Sequence, residues 1–353
     1  MLALTTLAWR AEEARAFDGP ELYPGEKTLA EAAQREGLLI AGNIIPNLNK
    51  WDAVIESFNR RYPGITVVYN DVGSSAVVST LDANRDRPTL DIAYYFGLSA
   101  VDAAGRGVLT PFKPVGSEKL APPLRDPAGF WTAIHTFPVA FLVNRKLVKN
   151  PPKSWADLKK PEYRGMIVYQ DPTVTAEGLI TVLAANAGLG GTLDSVRPAL
   201  DYFTELHKSG AIRAMVTDPP YVPLLRGQIA IWIAFEAVGA RASHIDGMED
   251  LDIVLPSDGT AAASYAVSLV KGARDENAGK LWMNFLLGDT AQRLFAEAFA
   301  RPVMPGIAPA PGSGMQSQPQ AKIEQLDMVR VWQRKQDIDR AWADIAGSKP
   351  AGR

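Results

Sequence analysis

From residue 38 onward, short apolar runs alternate with segments whose apolar residues recur every three or four positions, which predicts βα units around a largely parallel sheet. The run LLIAGN, residues 38–43, reads as a buried strand. It is followed by a helix pattern in which Trp51, Val54, Ile55, Phe58 and Tyr62 share one face and Gly64 ends the turn. ITVVYN (65–70) is the next strand, and Gly73, Ser74 and Ser75 supply a turn and cap for a second helix. LDIAYYF gives a third strand, and SAVDAAGRG a third helix.

FPVAFLVNRKLV (137–148) predicts one long strand, and a Pro- and Lys-rich surface connection follows it. A second βα series begins at GMIVYQ (165–170), with Asp171 or Thr173 as the cap of an apolar helix. The segment 193–212 is another amphipathic helix, 229–235 and 251–256 are strands, and 263–272 is a second long strand. Two further helices break at Gly288-Asp289. Residues 302–320 read as a linker, and 321–347 as a last helix with Ile323, Leu326, Trp332, Ile338, Trp342 and Ile345 as its apolar positions.

With 353 residues, 47% of them hydrophobic, the chain can bury two medium domains. A formal charge of -2 from 37 basic and 39 acidic residues, well mixed, argues against nucleic acid or an anionic membrane as partner. The absence of cysteine excludes disulfides, thiolate metal sites and a cysteine nucleophile. Residues 1–16 read as an export-signal remnant, because a short apolar run leads to Ala14-Arg15-Ala16, although no basic segment precedes it.

Searches for catalytic signatures return nothing positive. His135, His207 and His244 have no metal-ligand spacing, no nucleophile elbow or phosphate loop occurs, and GLGGTL follows a helix rather than a strand. An enzyme remains open at this point, but nothing positive argues for one, and no cofactor is indicated.

Three stretches, DIAYYFGLSAVDAAGRGVLTPF, FPVAFLVNRKLVKNPPKSWADLKKPEYRGMIVYQDPTVTAEG and SYAVSLVKGARDENAGKLWMNFLLGDTAQRLFAEAFARPVMP, resemble the solute-binding receptors of ABC importers. The class is the type II periplasmic-binding one, which includes ferric-ion, polyamine, thiamine and phosphonate receptors. The resemblance implies a two-lobed α/β fold with crossover strands, an interlobe cleft and hinge closure on a solute. It places the first lobe at 37–137 and 263–280, the second at 145–262, and C-terminal helices of 281–353 packed on both. It also implies a monomer secreted to the periplasm, delivering its solute to an ABC permease of the inner membrane.

Ligands of open α/β sheets lie outside the carboxyl ends of the strands. The candidates there are Asn43, Ser74, Ser75, Tyr94, Tyr95, Asp171, Thr173, Thr175 and Glu236, with His135 just before the first long strand and Trp131 and Tyr265 as further wall residues. Ser and Thr at such places are helix caps or anion contacts, and Asp171 is a cap or a ligand contact that would suit an amine. Glu236 ends an apolar strand and needs a cation, a set of donors or cleft water. The ferric branch carries an adjacent tyrosine pair where this chain has Phe235-Glu236, and Tyr94-Tyr95 lies on another strand, with successive side chains on opposite faces. One ring of that pair is expected in the core and the other at the solute. A small organic solute, anionic or zwitterionic, is the reading favoured here; a ferric-ion receptor and a cytosolic two-domain transferase are the alternatives.

Overall fold

A computed structural model describes residues 19–46, 48–308 and 322–343. The expected export signal, Ile345 and most of the 302–320 linker lie outside the described residues. The chain opens with α1 (Glu26–Glu36), then β1 (Leu38–Gly42), α2 (Trp51–Arg61), β2 (Thr66–Tyr69), α3 (Ser74–Ala83), β3 (Ile92–Phe96), α4 (Gly97–Gly105) and the short β4 (Leu109–Thr110). The long β5 (Thr132–Asn144) leads to β6 (Ile167–Gln170), α5 (Ala176–Gly188), α6 (Arg197–Lys208), β7 (Ile212–Val216), α7 (Tyr221–Leu225), β8 (Ile231–Phe235), α8 (Glu236–His244) and β9 (Leu251–Val254). A second long strand, β10 (Thr260–Val270), is followed by α9 (Glu276–Leu287), α10 (Asp289–Glu297), β11 (Arg301–Pro302), β12 (Ile323–Gln325) and α11 (Met328–Ala343).

The strand order is β2-β1-β3-β10-β5-β8-β6-β7. β1, β2 and β3 are parallel, as are β6, β7 and β8, and the two sets are joined through antiparallel β10 and β5. β5 serves both sheets: Thr132 to Pro138 pair with β10, and Val139 to Val143 pair with β8. The exchange falls at Pro138, which has no N–H to give to a ladder. The Thr260 hydroxyl donates to the Val139 carbonyl at 2.8 Å and pins the handover.

This exchange sets the two parallel sheets head to head. β3 ends at the rung Phe96–Tyr265–His135, while β8 ends at the rung Phe235–Val139. Those rungs are four residues apart on β5, about 13 Å at ~3.3 Å per residue. Every helix that follows a strand of either set therefore starts beside the gap between them.

All thirteen residues of β5 and all five each of β3 and β8 are buried, because helices cover both faces. On one face, Trp51 and Phe58 of α2 pack with Trp282 of α9 and Phe295 of α10 at centroid separations of 4.8 to 6.1 Å. Such edge and stacked aromatic pairs contribute roughly 0.5–1.5 kcal/mol each beyond their burial. β5 begins five residues before the expected Phe137, and the tail expected to be one helix opens with β12 paired to β10. No helix among the described residues is long and apolar enough to cross a membrane.

Glu236 opens α8 at the end of β8 with 1% exposure, and Arg301 of β11 meets it in a two-bond ion pair at 2.7 and 2.9 Å. Since β11 pairs with β5 at Thr136 and His135, this pair ties the middle of the crossover strand to the second lobe. Burial holds the Glu236 carboxyl above its ordinary range even with the guanidinium beside it. Removing the arginine strands a buried carboxylate, so Arg301→Met should lower unfolding stability at neutral pH by about 3–5 kcal/mol. Urea melts should show Glu236→Gln/Arg301→Met recovering much of that loss; a double variant no better than the single one would contradict this account.

Candidate functional site

A cavity of about 200 Å³ lies between the lobes. Its walls come from the first turn of α3 (Ser75), the end of β3 and start of α4 (Phe96, Leu98, Ser99), the loop into α5 (Pro172 to Ala176) and one face of α11 (Trp332, Lys335). Three helices thus begin at one space. The first-turn amides of a helix have no partner within it, and its aligned peptide dipoles place positive potential there. Ser75, Ser99 and Thr173 add hydroxyls, while Phe96, Leu98, Val174 and Trp332 supply apolar wall.

Glycines make this convergence sterically feasible. A Cβ on Gly97 would lie 2.7 Å from both Ser264 Oγ and Met328 Cγ, and one on Gly178 would lie 2.4 Å from the Gln170 carbonyl. The missing side chains let α4 start against β10 and α5 against the end of β6.

The expected hydroxyls divide between bracing and lining. Asn43, in the left-handed region at φ 65°, donates from Nδ2 to the Tyr94 carbonyl at 3.1 Å and accepts from the Gly73 amide at 2.9 Å. Ser74 Oγ accepts from the Phe96 amide at 3.0 Å. These two side chains hold the starts of α3 and α4 together, and Gly73 rather than a serine occupies the cap position of α3. Ser75 is exposed and lines the cavity. In the second lobe, Asp171 Oδ1 accepts from the Thr173 amide at 2.8 Å and hydroxyl at 2.7 Å, shaping the loop. The cap of α5 is Thr175, neither Asp171 nor Thr173 as expected: its Oγ1 accepts from the Gly178 amide at 3.0 Å.

Both tyrosines of the adjacent pair are buried, Tyr94 at 4% and Tyr95 at 0% exposure, so neither ring is left open to a solute as had been expected of one. They point to opposite faces, as strand parity requires: Tyr94 packs on Trp51 and His135, and Tyr95 enters the separate core of Val77, Leu90 and Trp131. The Tyr94 hydroxyl is 2.9 Å from His135 Nε2. Burial lowers the His135 pKa to about 3, so the imidazole is neutral at physiological pH, and burial raises the Tyr94 phenol well above its usual value. Glu236 meets its need for a cation through Arg301, within the fold. Trp131 is core, whereas Tyr265 is only half-buried.

Three features were not anticipated. Trp332, expected on an apolar face, is 42% exposed and reaches the cavity with Lys335, which also pairs with Asp339 at 2.6 Å. Asp102 of α4 lines the cavity while held by Arg106 at 2.9 and 3.0 Å. Glu177, next in sequence to the lining residues Thr175 and Ala176, accepts from Gln170 Nε2 at 2.7 Å. Enclosure by protein raises its pKa to about 7, an effect the Gln170 hydrogen bond reduces but does not cancel.

Comparison with known proteins agrees with this architecture. A periplasmic protein of Salmonella typhimurium named for binding 2-aminoethylphosphonate is 24% identical over 309 residues, 86% of each chain. The structure of AfuA from Actinobacillus pleuropneumoniae with fructose-6-phosphate bound matches with a TM-score of 0.69 at 19% identity, over 88% of this chain and 99% of that one. Trichodesmium IdiA (FutA), in complex with iron and citrate, matches with a TM-score of 0.71 at 15% identity, over 88% and 100%. The fold is the two-lobed type II periplasmic-binding fold that the sequence led us to expect. Residues 88–329, more than half of the chain, match the model of a family described as bacterial extracellular solute-binding protein, and the chain belongs to that family.

Proposed function

We propose that this protein is the substrate-binding receptor of an ABC importer, which captures a small organic anion or zwitterion in the interlobe cavity and delivers it from the periplasm to an inner-membrane permease. One observation carries the reading of the ligand's charge: the starts of α3, α4 and α5, from both lobes, border the same cavity with their hydroxyls. A carboxylate, phosphate or phosphonate placed there would accept from first-turn amides of both lobes. Binding would then favour the closed arrangement, since an anion contacted from both sides gains most when the lobes meet. Ser75 and Ser99 would serve the acid group from the first lobe, and the backbone of the Thr173 to Ala176 segment from the second, since the Thr173 and Thr175 hydroxyls already donate to Asp171. Asn43, Ser74 and Asp171 would hold those segments in shape, with Tyr94, Tyr95, His135 and Glu236 as support beneath and beside the cleft.

A thermal-shift screen over phosphonates, sugar phosphates, polyamines and ferric ion, with mass spectrometry of copurified small molecules, tests the reading. Stabilisation by at least one organic anion is expected, and stabilisation by ferric ion or polyamines alone would overturn it. Ser75→Trp, which adds an indole at an exposed lining position, should weaken binding of the stabilising anion at least tenfold by calorimetry while shifting the apo melting temperature by no more than a few degrees.

A second measurement follows from Glu177. Its folded pKa of about 7 lies above the ordinary 4.5, so between those values the native state holds a proton that the unfolded state has lost. The group therefore weakens the fold above pH 7, and that penalty disappears as pH falls toward 4.5. Glu177→Gln should accordingly melt a few degrees above the parent at pH 8, with the gap closing by pH 5. A gap independent of pH would show that the carboxyl is not held in its protonated form.

A further inference from the structure

The buried face of α11 carries Met328, Val331, Ile338 and Trp342. Steps of three and four residues along such a stripe call for one more apolar residue at position 335, and the sequence has Lys335 there. The two ends of the stripe rest on different lobes. Met328 fills the space that a Cβ on Gly97, at the start of α4, would occupy, and Val329 beside it packs on the first-lobe core of Val77 and Trp131. Trp342 lies 5.2 Å from Phe203 and 6.3 Å from Tyr169, both in the second lobe. The lysine therefore falls where the helix passes over the gap, and it borders the cavity together with Trp332, one turn before it on the same side.

Among the described residues, two charged side chains border the cavity, Asp102 and Lys335, and they are held differently. Arg106 donates to both oxygens of Asp102 at 2.9 and 3.0 Å and is itself fixed by Asp82 at 2.9 Å. Lys335 makes a single bond of 2.6 Å to Oδ2 of Asp339, whose Oδ1 is buried without a hydrogen-bond partner among the described residues. Ion pairs one turn apart on a helix are weak, and weaker still with the lysine on the N-terminal side, where the order opposes the helix dipole. An ammonium has three N–H groups, and Asp339 takes one of them. The charge of Asp102 is thus committed to the fold, whereas that of Lys335 is readily given up to an anion. Three helix starts and an ammonium around one space offer more donors than the two oxygens of a carboxylate can use. A phosphonate or phosphate monoester brings three terminal oxygens and up to two negative charges.

We propose that Lys335 is the charge partner of the solute's acid head, exchanging Asp339 for a phosphonate or phosphate monoester when the cavity fills. This rests on the receptor reading above and adds a third wall to the site: α11 serves the anion with an ammonium while the lobes serve it with amides and hydroxyls. Trp332, 42% exposed beside the lysine, offers its ring to the carbon part of the same solute.

The test is the calorimetric affinity of the full chain at pH 8 for ethylphosphonate, 2-aminoethylphosphonate and fructose-6-phosphate. Lys335→Met keeps much of the stem and suits the apolar stripe, so its apo melting temperature should match or exceed the parent's, while the tightest of the three compounds binds about tenfold or more weakly. Lys335→Arg, which keeps the charge, should bind that compound far closer to the parent than Lys335→Met does. Asp339→Asn frees the lysine without altering a lining residue, and should tighten binding about twofold or more, a gain that a purely structural pair would not give. That comparison decides the matter if Lys335→Met folds poorly. Unchanged affinity in Lys335→Met, or no gain in Asp339→Asn, overturns the role of Lys335 and leaves the anion receptor standing. Binding of organic carboxylates but of none of these three compounds likewise removes this proposal alone, and failure of every organic anion removes both.

Discussion

The site depends on one feature of backbone pairing, the exchange of partners along β5. A strand shared between two sheets must be buried along its whole length and must satisfy two ladders in succession. Pro138 stands where the first ladder ends, and Thr260 closes the joint by bonding the next carbonyl. Because β3 runs antiparallel to β10 and β8 antiparallel to β5, the carboxyl ends of both parallel sets aim at that joint. The cleft is thus where the topology brings strand ends and helix starts of opposite lobes together, and the few residues of β5 between the Phe96 and Phe235 rungs set how far apart those ends lie.

Most of this plan was legible in the sequence, and the misses have physical causes. The helical face of Trp51, Val54 and Phe58 and the apolar runs of β3 and β8 are patterns that burial itself imposes. The early part of β5 was missed because Thr132, His135 and Thr136 look polar, yet each is buried between β10 and flanking segments. β7 escaped notice for the opposite reason. Among the described residues it pairs only with β6, and apart from the exposed Arg213 it is half-buried, so neither alternation nor a continuous apolar run marks it. Ile323 was read as helical because its spacing to Leu326 fits a helix; its pairing with Thr260 is a long-range contact that local periodicity cannot express.

Within the site, sequence reasoning found the loops but not the division of labour among their residues. Asn43, Ser74 and Asp171 are of the right type for a ligand, but they spend their hydrogen bonds fixing the segments that carry Ser75, Thr173 and Thr175. Only coordinates separate a hydroxyl turned into its own loop from one turned toward the cavity. Trp332 and Lys335 come from more than 150 residues beyond Thr173 in the chain, with Arg330 of the same helix paired to Asp194 of the second lobe. Nothing in the spacing of the tail predicts that it forms a wall of the cleft.

Glu236 and Glu177 show how partners, rather than residue type, decide a role. Both are acids in the first turn of a second-lobe helix, where a negative charge suits the helix dipole. That benefit, roughly 0.3–1 kcal/mol, is small beside the several kcal/mol that desolvating a carboxylate can cost. Glu236 offsets the penalty with a guanidinium bonded to both its oxygens, which makes it part of the frame. Glu177 has one amide hydrogen bond, from Gln170, and among the described residues no paired cation, so its charge is only partly compensated. The same residue type at the same helical position is thus a tie in the frame where an arginine meets it, and a carboxyl held well above its ordinary range by burial where only an amide does.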